Sequence, residues 1–380
     1  MDEVTHLLEQ LVRVESINPD LVEAGSGEAP MARFVSDWAN QAGLEVIEQD
    51  AAPERPNIII RAPGSGDGQH LMFNAHLDTV GVDGMENPFI PRIENGRMYG
   101  RGTYDMKASL AAILIATRNA KHMNLRGDVF VSAVADEEYA SIGTEAILRE
   151  WSRWAADAVV VTEPTEMQVC IAHKGFVWLD VETQGKAAHG SRPHLGTDAI
   201  TKMGHVLTEL DRLDQILRAN PSHPYLGSGS LHASVISGGQ GWSAYPAHCH
   251  LQLERRTIPG ETPEIVQEQV QKILSQLASG DTDFKGDVRL NLYRPPFSVE
   301  PDAEIVRTLH DAVTHVTGTE ATLAGNTFWM DAALFMEAGI PTVVFGPHGD
   351  GAHADVEWVD LDSIRQCVEV YTALIERFCA

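Results

Sequence analysis

Long apolar runs are missing from this sequence, and no stretch reaches the about 18 uninterrupted apolar residues that a membrane-spanning helix needs. Basic residues are also scarce. Twenty-eight Lys and Arg stand against 54 Asp and Glu, a formal charge of −26. Such a surface repels nucleic acid and anionic membranes, so neither is an expected partner. Only four cysteines occur, Cys170, Cys249, Cys367 and Cys379, and they show no paired spacing. They read as ordinary thiols of a reducing compartment. The opening Met-Asp-Glu-Val-Thr-His is acidic where a secretory signal is basic and then apolar, which makes the expected location cytoplasmic. No internal repeat or low-complexity tract interrupts the chain. What remains is the composition of a globular protein, 43% hydrophobic and 22% charged, and 380 residues exceed one ordinary core.

Strand-like and helix-like segments alternate through the first half of the chain. Helical spacing covers 4–14 and 30–42, strands are expected at 44–47, 57–61 and 71–73, a helix at 106–119, a strand at 128–134, a helix at 143–151 and a strand at 158–161. That alternation predicts an α/β domain with a mostly parallel sheet and helices on both faces. After Lys174-Gly175 the rhythm changes to strand 176–183, helix 197–217, strands 230–237 and 248–257, helix 263–277 and strand 287–293. The order β-α-β-β-α-β is that of the split ferredoxin-like motif. Beyond Pro295-Pro296 the first rhythm resumes with helices at 303–316 and 331–338 and a strand at 341–345. The expectation is a catalytic domain of residues 1–175 and 294–380, interrupted by an inserted α+β domain of residues 176–293.

Chemistry-bearing residues gather where these strands end. The run Leu71-Met72-Phe73 leads into His76-Leu77-Asp78, Val129–Val134 into Asp136-Glu137-Glu138, and Ala158–Val161 into Glu163-Pro164. Thr342–Phe345 leads into a glycine-rich loop holding His348 and His353. Ligands of open α/β sheets bind just beyond the carboxyl ends of the strands, so distant residues can converge there. His76 and Asp78, two apart, read as a metal ligand and the carboxylate that orients it. Asp105, in Gly100-Arg-Gly-Thr-Tyr-Asp105-Met-Lys, stands where an ordinary helix cap also stands; the company of the other ligands marks it as a metal bridge. Of Glu137 and Glu138, one suits a metal and the other the attacking water, while Asp136 reads as a solvated acidic turn. Glu163 needs a cation or solvent beside it. Spacing does not choose between His348 and His353. Together these residues read as a two-metal hydrolase site.

The same segments resemble the M20 family of metallo-aminoacylases and peptidases. The likeness runs through His76-Leu-Asp78-Thr-Val, Gly100–Lys107, Asp136-Glu-Glu138, Thr162-Glu163-Pro-Thr, His173-Lys-Gly, Gly185-Lys-Ala-Ala-His189-Gly-Ser, Arg256-Thr-Ile-Pro-Gly-Glu and Ala352-His353 followed by Glu357. The resemblance implies that Asp105 bridges two divalent ions, zinc with cobalt as the alternative. His76 and Glu163 would complete one site, and Glu138 and His353 the other. It selects His353 over His348, makes Glu137 the general base, and places a cis peptide at Asp105-Met106. In the inserted domain, a lid and dimerisation domain by resemblance, His189 would reach the other subunit's site in a homodimer and stabilise the oxyanion, and Arg256 would bind the substrate carboxylate. Ser243 stands where many relatives have a substrate-holding asparagine, which leaves the acyl group open. Glutamate at 163 is similar to the deacetylase and desuccinylase branch. The implied activity is hydrolysis of a small N-acyl amino acid, with a carboxypeptidase or dipeptidase as the alternative and a non-catalytic metal-binding protein as a remote one.

Overall fold

The computed structural model of the chain describes residues 2–380. The chain forms two compact units. The first comprises the chain up to Ile171 with Val299–Ala324 and Met330–Ala380; the second comprises Ala172–Ser298 with Gly325–Trp329.

The first unit is built on a mixed sheet. Leu71–His76, Val129–Val134 and Ala158–Val161 are fully buried strands of almost wholly apolar sequence, as strands covered on both faces must be. Leu71–His76 runs parallel to both of the others, and Thr342–Val344 runs parallel to Ala158–Val161. The parallel pairing expected from the strand–helix alternation holds across these four central strands. The flanks are antiparallel, because only two residues join Glu45–Ala52 to Arg55–Ala62, and a link that short closes only a hairpin. Arg55–Ala62 then pairs antiparallel with Val129–Val134.

The helix Ala108–Ala120 carries the sequence Ala-Ser-Leu-Ala-Ala-Ile-Leu-Ile-Ala, apolar all round, and is buried nearly all round between the sheet and its neighbours. Its expected start at residue 106 moves to Ala108. Ahead of it Thr103–Lys107 forms a wide turn in which Asp105 and Met106 leave helical geometry, and the Asp105-Met106 peptide is cis, as the resemblance implied.

Several elements lie outside the expectation, among them the strand Val169–His173. A helix at Leu361–Phe378 buries Ile364, Cys367, Tyr371, Leu374 and Phe378 against Ala108–Ala120 and Glu304–Thr317. A small antiparallel sheet joins Arg92–Glu94, Arg97–Tyr99, Gly349–Asp350 and Trp358–Asp360, strands too short to show a period.

In the second unit, Gly175–Gln184, Ala199–Ala219, Ser230–Gly238, His248–Thr257, Pro263–Gly280 and Lys285–Arg294 follow in the order β-α-β-β-α-β. The sheet is antiparallel, with Gly175–Gln184 and His248–Thr257 central. Val177, Leu179 and Val181 alternate inward against Met203, Val206, Val270 and Leu274 of the two helices. Asp198 and Thr262 cap those helices by accepting from Thr201 N and Ile265 N.

Candidate active site

Parallel register brings the strand ends of the first unit together. His76 is level with Val134, and Asn74 with Val161. Residues one to four positions beyond these strands therefore share one edge of the sheet, and the turn at Asp105 closes over it.

The resulting geometry centres on Asp105. Its Oδ1 lies 3.0 Å from His76 Nε2, and its Oδ2 lies 3.3 Å from His353 Nε2. Glu163 Oε1 stands 3.5 Å from His76 Nε2, and Glu138 Oε2 stands 2.9 Å from His353 Nε2. One carboxylate thus faces two imidazoles, with a further carboxylate beside each. Ligand atoms of His76, Asp105 and Glu138, and separately of His76, Glu137 and Glu163, lie within 4.8 Å of one another. His348 is not among them: its Nδ1 pairs with Glu166, which also accepts from the Tyr104 hydroxyl.

The electrostatics of this cluster call for a cation. Burial raises the carboxyl pKa values of Glu137 and Glu163 well above the usual range, and the neighbouring acids add to the effect. Burial and Asp105 push Glu138 up to about 7. Hydrogen bonds to Asp105 and Glu138 push His353 up to about 10, against burial. For His76, burial opposes the proton, but Glu163, Asp105 and Asp78 outweigh it and raise the pKa well above the ordinary value. Asp105 moves the other way; burial is outweighed by its bonds to His353 and His76, and the pKa falls. Glu138 Oε1 is buried with no hydrogen-bond partner. Carboxylate and imidazole donors at this spacing, with a bare buried oxygen among them, fit divalent cations such as zinc.

The surrounding residues hold the cluster in place. His76 Nδ1 is 2.9 Å from the backbone carbonyl of Asp78 and 3.6 Å from its carboxylate, so the carbonyl fixes the ring more closely than the side chain does. The Asp78 carboxylate accepts instead from Asn18 Nδ2 at 2.7 Å and from the backbone N–H groups of Glu137 and Glu138. The carboxylate therefore positions the two glutamates, while the Asp78 backbone carbonyl holds the histidine.

Asp136 is not a solvated turn. It is buried with φ 68°, accepting from Arg55 Nη2 at 2.7 Å and Asn18 Nδ2 at 3.0 Å. Arg55 in turn grips Glu28 through two bonds of 2.6 and 2.7 Å. A buried carboxylate missed by sequence reasoning is Asp331, held by Thr144 Oγ1 at 2.5 Å and raised to about 6 by burial. It stands as an ordinary residue ahead of the helix Ala332–Glu337, and no spacing signal marks it.

The remaining predicted residues lie in the second unit. His189 is exposed, and its Nδ1 accepts from Ser191 N at 3.2 Å. A backbone N–H only donates, so this bond assigns the proton of the neutral ring to Nε2. Gly190 N donates to the Ser243 carbonyl at 2.7 Å, and Tyr245 N to the Ala188 carbonyl at 2.9 Å, which ties the His189 and Ser243 segments together. Arg256 is partly exposed, bonded through Nε to Glu254 at 2.7 Å with its guanidinium 5.2 Å from the Phe176 ring centre. Arg255 is fully buried in an ion pair with Glu261, the structural role its inward position suggests. Trp329 is packed, donating to the Pro295 carbonyl at 3.0 Å against His173 and Phe176.

Two imidazoles and a group of carboxylates at the carboxyl edge of an α/β sheet define a class of hydrolase that activates water with divalent cations. The chain belongs to peptidase family M20/M25/M40, whose profile matches residues 72–377. It is accordingly a hydrolase of amide bonds. It is 30% identical over 360 residues to acetylornithine deacetylase from Myxococcus xanthus, covering 92% of each chain. It is 27% identical over 380 residues to acetylornithine deacetylase from Proteus mirabilis, covering 98% of this chain and 96% of the other. Among solved structures, aminopeptidase PepT from Bacillus cereus shares the fold with a TM-score of 0.81 at 20% identity, over 99% of this chain and 98% of that one. Among the described residues no helix is long and apolar enough to cross a membrane.

Proposed function

We propose that this protein is a two-metal hydrolase that removes the acyl group from a small N-acyl amino acid. The observation that carries the reading is Asp105, whose two oxygens face His76 and His353 with Glu163 and Glu138 alongside. In this reading Asp105, His76 and Glu163 would hold one divalent ion, zinc or cobalt, and Asp105, Glu138 and His353 would hold a second. When bound, the ions supply Lewis acidity to the attacking water and the scissile carbonyl. Glu137 takes the proton from that water and delivers it to the leaving amine. Its buried carboxyl, with a raised proton affinity, suits a group that must hold a proton between those two steps. Asp78 keeps the Glu137 and Glu138 backbone in place while this happens.

His189 presents Nε2–H as a donor for the oxyanion, in the site of a second copy of the chain. Arg256 binds the substrate carboxylate, and Ser243 lies in the segment that meets the acyl group. The deacylase assignment over a peptidase rests on the relatives named deacetylases, which match this chain almost end to end.

The test is product analysis by mass spectrometry after incubating the zinc-loaded protein with N-acetyl and N-succinyl amino acids and with dipeptides. Release of free amino acid from the N-acyl compounds is the expected outcome and names the acyl group. Cleavage of dipeptides alone would move the protein to the carboxypeptidase or dipeptidase reading.

A further inference from the structure

The segment that carries Asp105 is wrapped around a single buried carboxylate, Glu357. Its side chain is fully shielded from solvent. Oε2 accepts from Arg101 Nη1 at 2.8 Å and from Gly102 N at 2.9 Å. Oε1 accepts from Tyr104 N at 2.8 Å and from Asp105 N at 3.0 Å. The Glu357 backbone carbonyl also accepts from Gly100 N at 3.2 Å. Residues 100–105 are not regular helix or strand where these bonds form, and a buried irregular backbone must find partners for its N–H groups somewhere. Here one carboxylate satisfies three of them. Arg101 extends the arrangement through Nη2 to the Ala354 carbonyl at 3.2 Å, next to His353.

We infer that Glu357 is a positioning residue for the metal centre: it fixes the backbone of the Asp105 turn, and with it the aim of both Asp105 oxygens, before any ion binds. The inference rests on the reading of Asp105 as a bridging ligand. The chemistry requires a carboxylate rather than an amide. All four acceptor positions are filled by donors, so a glutamine at 357 would turn an N–H₂ group against N–H or guanidinium groups. Aspartate lacks one methylene and leaves the same donors short of a partner.

The experiment measures zinc affinity and stoichiometry by competition with a chromophoric chelator, well below the melting temperature of the metal-free protein. Glu357→Gln, Glu357→Asp, Arg101→Met and Asp105→Asn are compared with the parent chain. Glu357→Gln and Glu357→Asp are expected to lose roughly 10- to 100-fold in zinc affinity, as partners that orient ligands typically do. Arg101→Met should lose less, because the carboxylate still holds Gly102, Tyr104 and Asp105. Equal losses for Arg101→Met and Glu357→Gln would assign the effect to the ion pair and overturn the inference. Parent-like affinity in Glu357→Gln would overturn it too.

Asp105→Asn separates this from the reading beneath it. If that variant binds two zinc ions like the parent, the bridging role of Asp105 falls; if it loses zinc while Glu357→Gln does not, only the positioning role falls. Should the Glu357 variants fail to fold, hydrogen exchange of the metal-free parent decides. The amides of Gly102, Tyr104 and Asp105 should be protected without zinc, and exchange at exposed-loop rates until zinc is added would refute the inference.

Discussion

The two units treat their functional side chains in opposite ways. In the first, the side chains of Asp78, Glu138 and Glu163 are buried against partners from distant parts of the chain: Asn18 and the Glu137 and Glu138 backbone for Asp78, His353 for Glu138 and His76 for Glu163. In the second, His189 and Ser243 are exposed and Arg256 is partly so, held by neighbours within a few residues or by one adjacent strand. A cation needs rigid donors at fixed spacing, and a buried network supplies that. Substrates vary and must enter and leave, so groups that touch them suit an accessible surface. Under the proposed function, metal binding and proton transfer fall to the first unit and substrate selection to the second.

The sharpest way to test that division is to remove the base. Glu137→Ala is expected to lower kcat by at least the 10²- to 10⁴-fold typical of general acid–base groups, with metal content by elemental analysis unchanged. Loss of metal in that variant would mean that the base and ligand roles of Glu137 and Glu138 are exchanged. Next in size is His189→Ala. Removing one oxyanion donor costs about 10²- to 10³-fold in kcat, and this variant should keep parent-like KM and metal stoichiometry. A fall in zinc affinity there would break the division between the units. Arg256→Met should act mainly on KM. Losing a charge-assisted bond of about 1.5–3 kcal/mol corresponds to roughly tenfold to a hundredfold weaker binding of a substrate carboxylate, with little change for an analogue lacking one.

Much of the first unit was legible because its central strands are apolar runs that stop just ahead of a histidine or carboxylate able to bind a metal. His76, Glu137, Glu138 and Glu163 each follow such a run by at most four positions. Their convergence could be expected from parallel register alone. The burial of Asp136 was not legible, because its partners Asn18, Glu28 and Arg55 lie on other elements more than 80 positions away, and nothing local separates it from a solvated turn. Asp331 is hidden for the same reason. The helix Leu361–Phe378 carries a legible signal, apolar residues three and four apart from Leu361 through Ile364, Cys367, Tyr371 and Leu374 to Phe378. In the second unit the fold followed from its element order, whereas His189, Ser243 and Arg256 stood out only through resemblance, since exposed polar residues carry no burial pattern.

The smallest expected effect concerns stability, and it tests whether the buried cluster is a metal site at all. Without ions, Glu138 binds its proton more tightly in the folded chain, about 7 against an ordinary 4.5, and Asp331 does so at about 6 against 3.8. The folded state therefore holds more protons than the unfolded one between about pH 4.5 and 7. Stability falls with rising pH wherever that is so. Glu137 and Glu163, also raised, act in the same direction. Lys107, lowered to about 7 by burial, acts in the opposite sense only above that pH. The melting temperature of the chelator-treated protein should thus decline from pH 5 to pH 7, while zinc in excess offsets the repulsion and flattens the profile. Each ion at about one hundred times its Kd would also add about 2.7 kcal/mol of stability. A metal-free profile that rises over this window, or one that zinc leaves unaltered, would show that the carboxylates are reconciled by something other than a cation.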